Sequence, residues 1–129
     1  MATETTIILI DDDPAILDLI ELYLDDYDII KIENITELEN TLKEDASYHL
    51  FISDIELGGD NSSKAFSMIK KYNSLSTIIG ISGHSSFEKQ QEVLNKGYDD
   101  FFVKPINFKA LKEVLEFHIE KNHRWLKIA

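Results

Sequence analysis

The chain has 129 residues, and its hydrophobic fraction of 43% is enough for one domain of ordinary size with a packed core. The absence of cysteine excludes disulfide frameworks, thiolate metal sites and thiol nucleophiles. Lys and Arg total 13 against 24 Asp and Glu, and the net charge of −11 argues against nucleic acid and anionic membranes as partners.

The first predicted elements surround the stretch IILIDDDP. Its apolar run Ile7–Ile10 predicts a short buried strand. Asp13 followed by Pro14 is typical of a helix start, because Asp caps free N–H groups and Pro fits the first helical turn. A helix over residues 14–26 is predicted by apolar residues at helical spacing, namely Ile16, Leu19, Ile20 and Tyr23.

A second strand and a second helix follow. The strand is predicted by Ile29, Ile30 and Ile32. The run Thr36-Glu37-Leu38-Glu39 has the pattern of a capping box, in which the first and last side chains satisfy free N–H groups at a helix start. The apolar stripe of this helix consists of Ile35, Leu38 and Leu42.

The third strand, like the first, ends next to a carboxylate. The run His49–Asp54 predicts a short and largely apolar strand that closes on Asp54. Gly58 and Gly59 interrupt regular structure after it. The helix predicted beyond them carries the apolar residues Ala65, Phe66, Met68, Ile69 and Tyr72.

Two more strands with a helix between them come next. Thr77–Ser82 is rich in β-branched residues and predicts a fourth strand. Ser85 or Ser86 would cap the fourth helix, and Gly97 stands where a helix-ending glycine belongs. Phe101–Val103 predicts a short fifth strand.

The last predicted helix begins after Asn107, a residue suited to capping, and its apolar face consists of Phe108, Leu111, Leu115 and Ile119. Five strands thus alternate with five helices. This alternation indicates right-handed crossovers and a doubly wound, parallel α/β sheet with helices on both faces. Since ligands bind at the carboxyl ends of strands in such sheets, the polar residues at those ends form the candidate site.

Charged and hydroxyl residues stand at the carboxyl ends of four predicted strands. They are Asp11, Asp12 and Asp13 after the first strand, Asp54 on the third, Ser82 on the fourth and Lys104 after the fifth. Clustered carboxylates bind a hard divalent cation such as Mg²⁺, a lysine neutralises a phosphoryl oxygen, and a hydroxyl donates to another. The set therefore suits phosphoryl chemistry in which a carboxylate attacks phosphorus.

These motifs resemble a known family. IILIDDDP, LFISDI, IIGIS and FFVKP match, in order and spacing, the receiver domain of bacterial two-component response regulators, from about Thr6 to His118. The resemblance implies the flavodoxin-like (βα)5 fold with strand order 2-1-3-4-5. We expect residues 1–129 to form a single receiver domain with no effector domain in the chain. With no basic leader and no apolar run of ~20 residues, we expect a cytoplasmic protein.

The resemblance implies a role for each acid of the predicted site. The phosphoacceptor of the family is the Asp that closes the third strand, here Asp54. The acidic pair is Asp11 and Asp12, of which Asp12 would bind Mg²⁺ (or Mn²⁺) directly and Asp11 directly or through water. Asp54 itself and the backbone carbonyl of Glu56 would complete the protein's share of the metal ligands.

The remaining family positions concern the phosphoryl group and the switch. Ser82 would bond a phosphoryl oxygen and move on activation, and Lys104 would neutralise phosphoryl charge. The peptide bond between Lys104 and Pro105 is usually cis in the family. The aromatic switch position is Phe101, which lacks the hydroxyl of the commoner tyrosine.

Two departures from the family pattern lie near the predicted site. Many members carry a Met-Pro pair after the phosphoacceptor, whereas Leu57-Gly58-Gly59 stands here, and we expect a looser loop. Glu56 lies two residues after Asp54, and His84 lies two residues after Ser82. Both would flank the phosphoryl group. We hypothesise that they tune the lifetime of the phosphorylated state.

The resemblance implies a phosphorelay switch and not a turnover enzyme. A histidine kinase or a histidine phosphotransfer protein would donate the phosphoryl group to Asp54. Ser82 and Phe101 would then remodel the surface of the fourth helix, fifth strand and fifth helix, where a downstream target protein or a second protomer would dock. Direct contact with nucleic acid or membrane is not expected.

Two other classes of protein stay open at this point. Phosphatases of the haloacid dehalogenase type also place Asp-x-Asp after a first apolar strand, and their nucleophile would be Asp11. The short chain and Pro14 argue against that class. The second alternative is a receiver fold that only binds a partner, against which the intact set of Asp54, Ser82 and Lys104 argues.

Overall fold

The computed structural model describes residues 5–84 and 86–128, with side chains described up to residue 122. Five strands alternate with five helices along this part of the chain. The strands are β1 (Thr6–Ile10), β2 (Asp28–Ile32), β3 (Leu50–Asp54), β4 (Thr77–Ser82) and β5 (Asp100–Val103). The helices are α1 (Pro14–Tyr23), α2 (Ile35–Glu44), α3 (Asn61–Tyr72), α4 (Phe87–Asn95) and α5 (Phe108–Ile128).

The strands form one parallel sheet in the order β2-β1-β3-β4-β5, with a hydrophobic core on each face. Because successive strand residues point to opposite faces, Ile8 of β1 enters the core shared with α2, α3 and α4, and Ile7 enters the core shared with α1 and α5. The predicted doubly wound α/β fold is confirmed. Within the described residues, no helix has both the length and the apolar character needed to cross a membrane.

The first helix is shorter than predicted, and its buried face differs in part, although Ile20 is buried as predicted. It ends at Tyr23 and not at residue 26. The adjacent Asp25-Asp26 explains the early end, because negative charge is unfavourable at the carboxyl terminus of a helix. The buried stripe includes Leu17, which the periodicity did not single out, whereas Leu19 is 43% exposed.

The start of α2 also differs from the prediction. The N-cap is Asn34, whose Oδ1 accepts the N–H of Glu37 at 2.9 Å. Glu37 Oε1 in turn accepts the N–H of Glu33 at 3.0 Å. The reciprocal capping pattern therefore exists, but it begins at Asn34 and not at Thr36, because asparagine caps a helix at least as well as threonine.

The remaining boundaries agree closely with the sequence patterns. Ser86 and Asn107 each accept a backbone N–H at 3.1 Å at the starts of α4 and α5. The alternative cap, Ser85, lies outside the described residues. Gly97 ends the α4 region with a φ of 109°, a left-handed conformation that glycine adopts without strain.

Candidate functional site

The carboxyl ends of β1 and β3 bring three acids together. Because these strands are parallel neighbours, Asp54 at the end of β3 lies beside the Asp11 and Asp12 that follow β1. Each residue offers a carboxylate oxygen, and these oxygens lie within 4.8 Å of one another. Asp11 and Asp54 are buried, and Asp12 is exposed. The structure thus clusters the three acids that the sequence suggested as metal ligands.

This donor set fits a hard divalent cation. Burial raises the pKa of Asp11, and the charge of Asp54 acts in the same direction. The hydrogen bonds from the Asp13 N–H and from Lys104 lower the pKa but do not cancel this rise. Buried like charges at this separation repel each other, and bound positive charge relieves the repulsion. Three convergent carboxylate oxygens are also the ligand type that Mg²⁺ prefers.

Lys104 brings positive charge to the two buried carboxylates. Its Nζ lies 3.1 Å from Asp11 Oδ2 and 3.3 Å from Asp54 Oδ2. The backbone positions it, because the Lys104 N–H donates to the Ser82 carbonyl at 2.7 Å and continues the pairing of β5 with β4. Burial alone would lower the pKa of Lys104, but its contacts with the two carboxylates outweigh burial and raise it. The Lys104–Pro105 peptide bond is cis.

The loop after β3 is anchored to Asp54. Asp54 Oδ1 accepts the N–H of Glu56 at 2.8 Å. The hydroxyl of Ser62, in the first turn of α3, donates to the Asp54 carbonyl at 3.2 Å and accepts the N–H of Leu57 at 2.9 Å. The sequence pattern did not single out Ser62, since a lone serine near a helix start carries no specific signal. These bonds tether the start of the loop, whereas the looser path expected for Gly58 and Gly59 stays a prediction.

Ser82, Glu56 and His84 form one hydrogen-bonded network beside the acids. The fully buried Ser82 donates its hydroxyl to Glu56 Oε1 at 2.9 Å, and its oxygen accepts the N–H of His84 at 2.9 Å. Glu56 Oε1 also accepts the N–H of Gly83 at 2.5 Å, and Glu56 Oε2 lies 2.6 Å from His84 Nε2. Partial burial would raise the pKa of Glu56, but the hydrogen bonds from Gly83 and Ser82 and the charge on His84 lower it.

The predicted switch residue, Phe101, packs against the core cluster that contains Tyr98, an aromatic residue that the sequence pattern did not single out. Phe101 is half-buried and pairs in register with Gly80 of β4. The ring of Tyr98 lies against Gly80, where an added Cβ would be 3.2 Å from a ring carbon. Tyr98 also packs on Phe66, with ring centroids 4.7 Å apart. Burial, and to a lesser extent the charge of Asp54, raises the pKa of Tyr98 to about 12.

Asp13 serves α1 and not the acid cluster. Its Oδ1 accepts the N–H of Ala15 at 3.0 Å, which satisfies one free donor at the helix start. Its backbone N–H donates to Asp11 Oδ1 at 2.9 Å and so helps to orient that carboxylate. The predicted capping role of Asp13 is confirmed.

Comparisons with known proteins point to one family. The family model described as "Response regulator receiver domain" matches residues 7–116. The sensor protein GacS of Pseudomonas syringae pv. syringae is 24% identical over 116 residues, in an alignment that covers 84% of this chain. The chain spans only 13% of the length of that relative.

Solved structures share the fold. The signal receiver domain of a protein described as a Luxo repressor, from Vibrio parahaemolyticus, has a TM-score of 0.86 at 22% identity over 98% of both chains. A response regulator receiver domain protein from Clostridium thermocellum has a TM-score of 0.83 at 19% identity, over 94% of this chain and 98% of its own. The BeF3-activated DrrB receiver domain has a TM-score of 0.78 at 22% identity, over 92% of this chain and 99% of its own.

Proposed function

The chain belongs to the response regulator receiver domain family, and from this premise we propose that it accepts a phosphoryl group on Asp54 as a step in a phosphorelay. One observation carries the proposal: the buried Asp54 carboxylate has Lys104 Nζ at 3.3 Å and two further acids beside it. The donor would be a histidine kinase or a histidine phosphotransfer protein, in keeping with a relative that is named a sensor protein.

The residues at the edge of the sheet divide the chemistry between them. Asp11, Asp12, Asp54 and the backbone carbonyl of Glu56 would hold Mg²⁺ (or Mn²⁺), which when bound neutralises carboxylate and phosphoryl charge. An Asp54 carboxylate oxygen attacks phosphorus, the bond from phosphorus to the donor's imidazole nitrogen breaks, and the imidazole leaves with the electron pair. Lys104 lies where it can neutralise the transferred oxygens, so positioning and charge supply most of the catalysis.

Phosphorylation would act through Ser82 and Phe101. Ser82 would turn its hydroxyl to a phosphoryl oxygen, and Phe101 would change rotamer on the neighbouring strand β5. The remodelled surface comprises α4, β5 and α5, where a downstream target protein or a second copy of the chain would dock. We place this switch in the cytoplasm, with no nucleic acid or membrane as a direct partner and no turnover of a separate substrate.

Glu56 and His84 are proposed to set the lifetime of the phosphorylated state, because their network adjoins Asp54 through the Glu56 N–H. The Glu56→Ala and His84→Ala variants should lose phosphate at rates different from that of the parent protein. Rates equal to the parent's in both variants would contradict this role.

Intact-mass spectrometry after incubation with a small phosphodonor and Mg²⁺ tests the proposed function. We expect one added phosphate in the parent protein and none in Asp54→Asn. An adduct that survives in Asp54→Asn but is lost in Asp11→Asn would indicate a phosphatase-like nucleophile. No adduct in the parent protein, even with histidine phosphodonor proteins, would leave a partner-binding module as the better description.

A further inference from the structure

A single carboxylate oxygen engages two neighbouring donors at the end of β4. Glu56 Oε1 accepts both the Ser82 hydroxyl at 2.9 Å and the Gly83 N–H at 2.5 Å. A hydroxyl and a backbone N–H each carry one hydrogen to donate. Both donors are therefore committed to Glu56 in this structure.

Ser82 is held from two sides. While its hydrogen points to Glu56, its oxygen accepts the N–H of His84 at 2.9 Å. The side chain is fully buried, so no water can replace a broken bond. Any other acceptor for the Ser82 hydrogen must consequently take the place of the Glu56 carboxylate.

His84 fixes the second oxygen of the same carboxylate. Its Nε2 lies 2.6 Å from Glu56 Oε2, on the outer side of the network, where the His84 side chain is 70% exposed. Glu56 thus has a partner on each oxygen, and its own N–H is bound to Asp54 at 2.8 Å. The contacts keep this anion next to the phosphoacceptor and pointed at the donors of β4.

We propose that the Glu56 carboxylate is an internal substitute for the phosphoryl group. The carboxylate occupies the donors of Ser82 and Gly83 until phosphorylation of Asp54 displaces it. This inference rests on the proposed function. Glu56 is then a positioning residue that acts through Ser82. Two anions cannot share these donors, so only molecules in which Glu56 has released Ser82 can complete the switch. The apparent affinity for a phosphoryl mimic is therefore lowered in proportion to the fraction of molecules in which Ser82 is released.

Binding of beryllium fluoride with saturating Mg²⁺ tests this competition. We expect Glu56→Ala to bind this phosphoryl mimic roughly tenfold more tightly than the parent protein, because the competing charged acceptor is gone. Glu56→Gln keeps the shape without the charge and should fall between the two. Glu33→Ala is the matched control, since Glu33 follows β2 at the same edge of the sheet and is not bonded to Ser82 or Gly83.

Amide NMR of the free protein tests the contact by itself. The Gly83 N–H signal should shift upfield, and its hydrogen exchange should accelerate, in Glu56→Ala and to a smaller extent in Glu56→Gln. In Glu33→Ala the signal should stay where it is in the parent protein. A change of fold would shift amide signals throughout the spectrum, whereas loss of the contact shifts only the signals of residues around Gly83.

The outcomes separate this inference from the proposed function. An unchanged Gly83 signal in both Glu56 variants would overturn the contact. Equal or weaker beryllium fluoride binding by both variants would overturn the competition while leaving phosphoryl acceptance in place. Failure of the parent protein and of every variant to bind beryllium fluoride would overturn the proposed function and this inference with it.

Discussion

Lys104 is the cation that balances the two buried acids of the site. Replacing it by methionine keeps the apolar stem but leaves Asp11 and Asp54 without their partner at 3.1 and 3.3 Å. Breaking a buried ion pair costs ~3–5 kcal/mol, and because Lys104 is partly exposed we expect a loss of about 2 kcal/mol in the free energy of unfolding. Urea denaturation without added metal measures it, with the exposed Lys109→Met as control. Equal losses in the two variants would show that Lys104 has no such role.

Tyr98 should make stability depend on alkaline pH. Its pKa is raised from 10.0 to about 12, chiefly by burial. A phenol whose pKa is higher in the folded state contributes stability that is present below pH 10 and is lost as the pH rises through 12. The difference in unfolding free energy between the parent protein and Tyr98→Phe should therefore change by about 2 kcal/mol over that interval. Urea titrations across the interval test this, and a constant difference would contradict it.

Individual residues differ in how readily the sequence reveals them. Asp54 and Lys104 could be assigned to the site from the sequence because the carboxyl ends of parallel strands lie at one edge of the sheet. The direction of the Glu56 side chain could not be predicted, because its partner Ser82 lies 26 positions away in sequence. Tyr98 was not singled out for a similar reason, since its neighbours Phe66 and Gly80 are distant in sequence and meet it only in the fold.

At the scale of the element, the start of α2 offers a direct comparison of two capping residues. Asn34→Ala removes the acceptor of the Glu37 N–H and should lower the free energy of unfolding by about 1 kcal/mol. Thr36→Ala, at the position that the sequence pattern favoured, should change it by less than ~0.5 kcal/mol because the residue is exposed within the first turn. Chemical denaturation of the two variants measures both values. A larger loss in Thr36→Ala would contradict the observed cap.

The elements themselves were predictable where one pattern dominated. The apolar or β-branched runs of β1, β3 and β4 favour strands, and the structure confirms them. In α1, by contrast, Ile16, Leu17, Leu19 and Ile20 are all apolar, so periodicity could not select the buried face. Packing against α5 and the sheet selects it, which is information that the local sequence does not hold.

At the scale of the whole molecule, the net charge of −11 and the acid cluster predict stabilisation by Mg²⁺. A ligand that binds only the folded state at a hundredfold excess over its Kd adds about 2.7 kcal/mol. The melting temperature should rise more in MgCl₂ than in NaCl of equal ionic strength, because NaCl only screens surface charge. Most of the difference should vanish in Asp12→Asn. Equal rises in both salts would argue against a specific site.

The topology followed from the order of elements together with the family resemblance. Alternating strands and helices restrict the sheet to parallel crossovers, and the resemblance implied the order that the structure has. Together they bring residues from β1, β3, β4 and β5 to one edge, although these residues are far apart in sequence. The site is therefore a property of the whole domain and not of any one motif.

Formation of an acyl phosphate on Asp54 is the central claim, and reductive trapping tests it most directly. Borohydride converts an aspartyl phosphate to homoserine, so treatment after exposure to a phosphodonor and Mg²⁺ marks the modified residue for peptide mass spectrometry. We expect homoserine at position 54 and unmodified aspartate at positions 11 and 12. Homoserine at position 11, or at no position in a protein that has gained phosphate, would contradict the assignment of Asp54 as the phosphoacceptor.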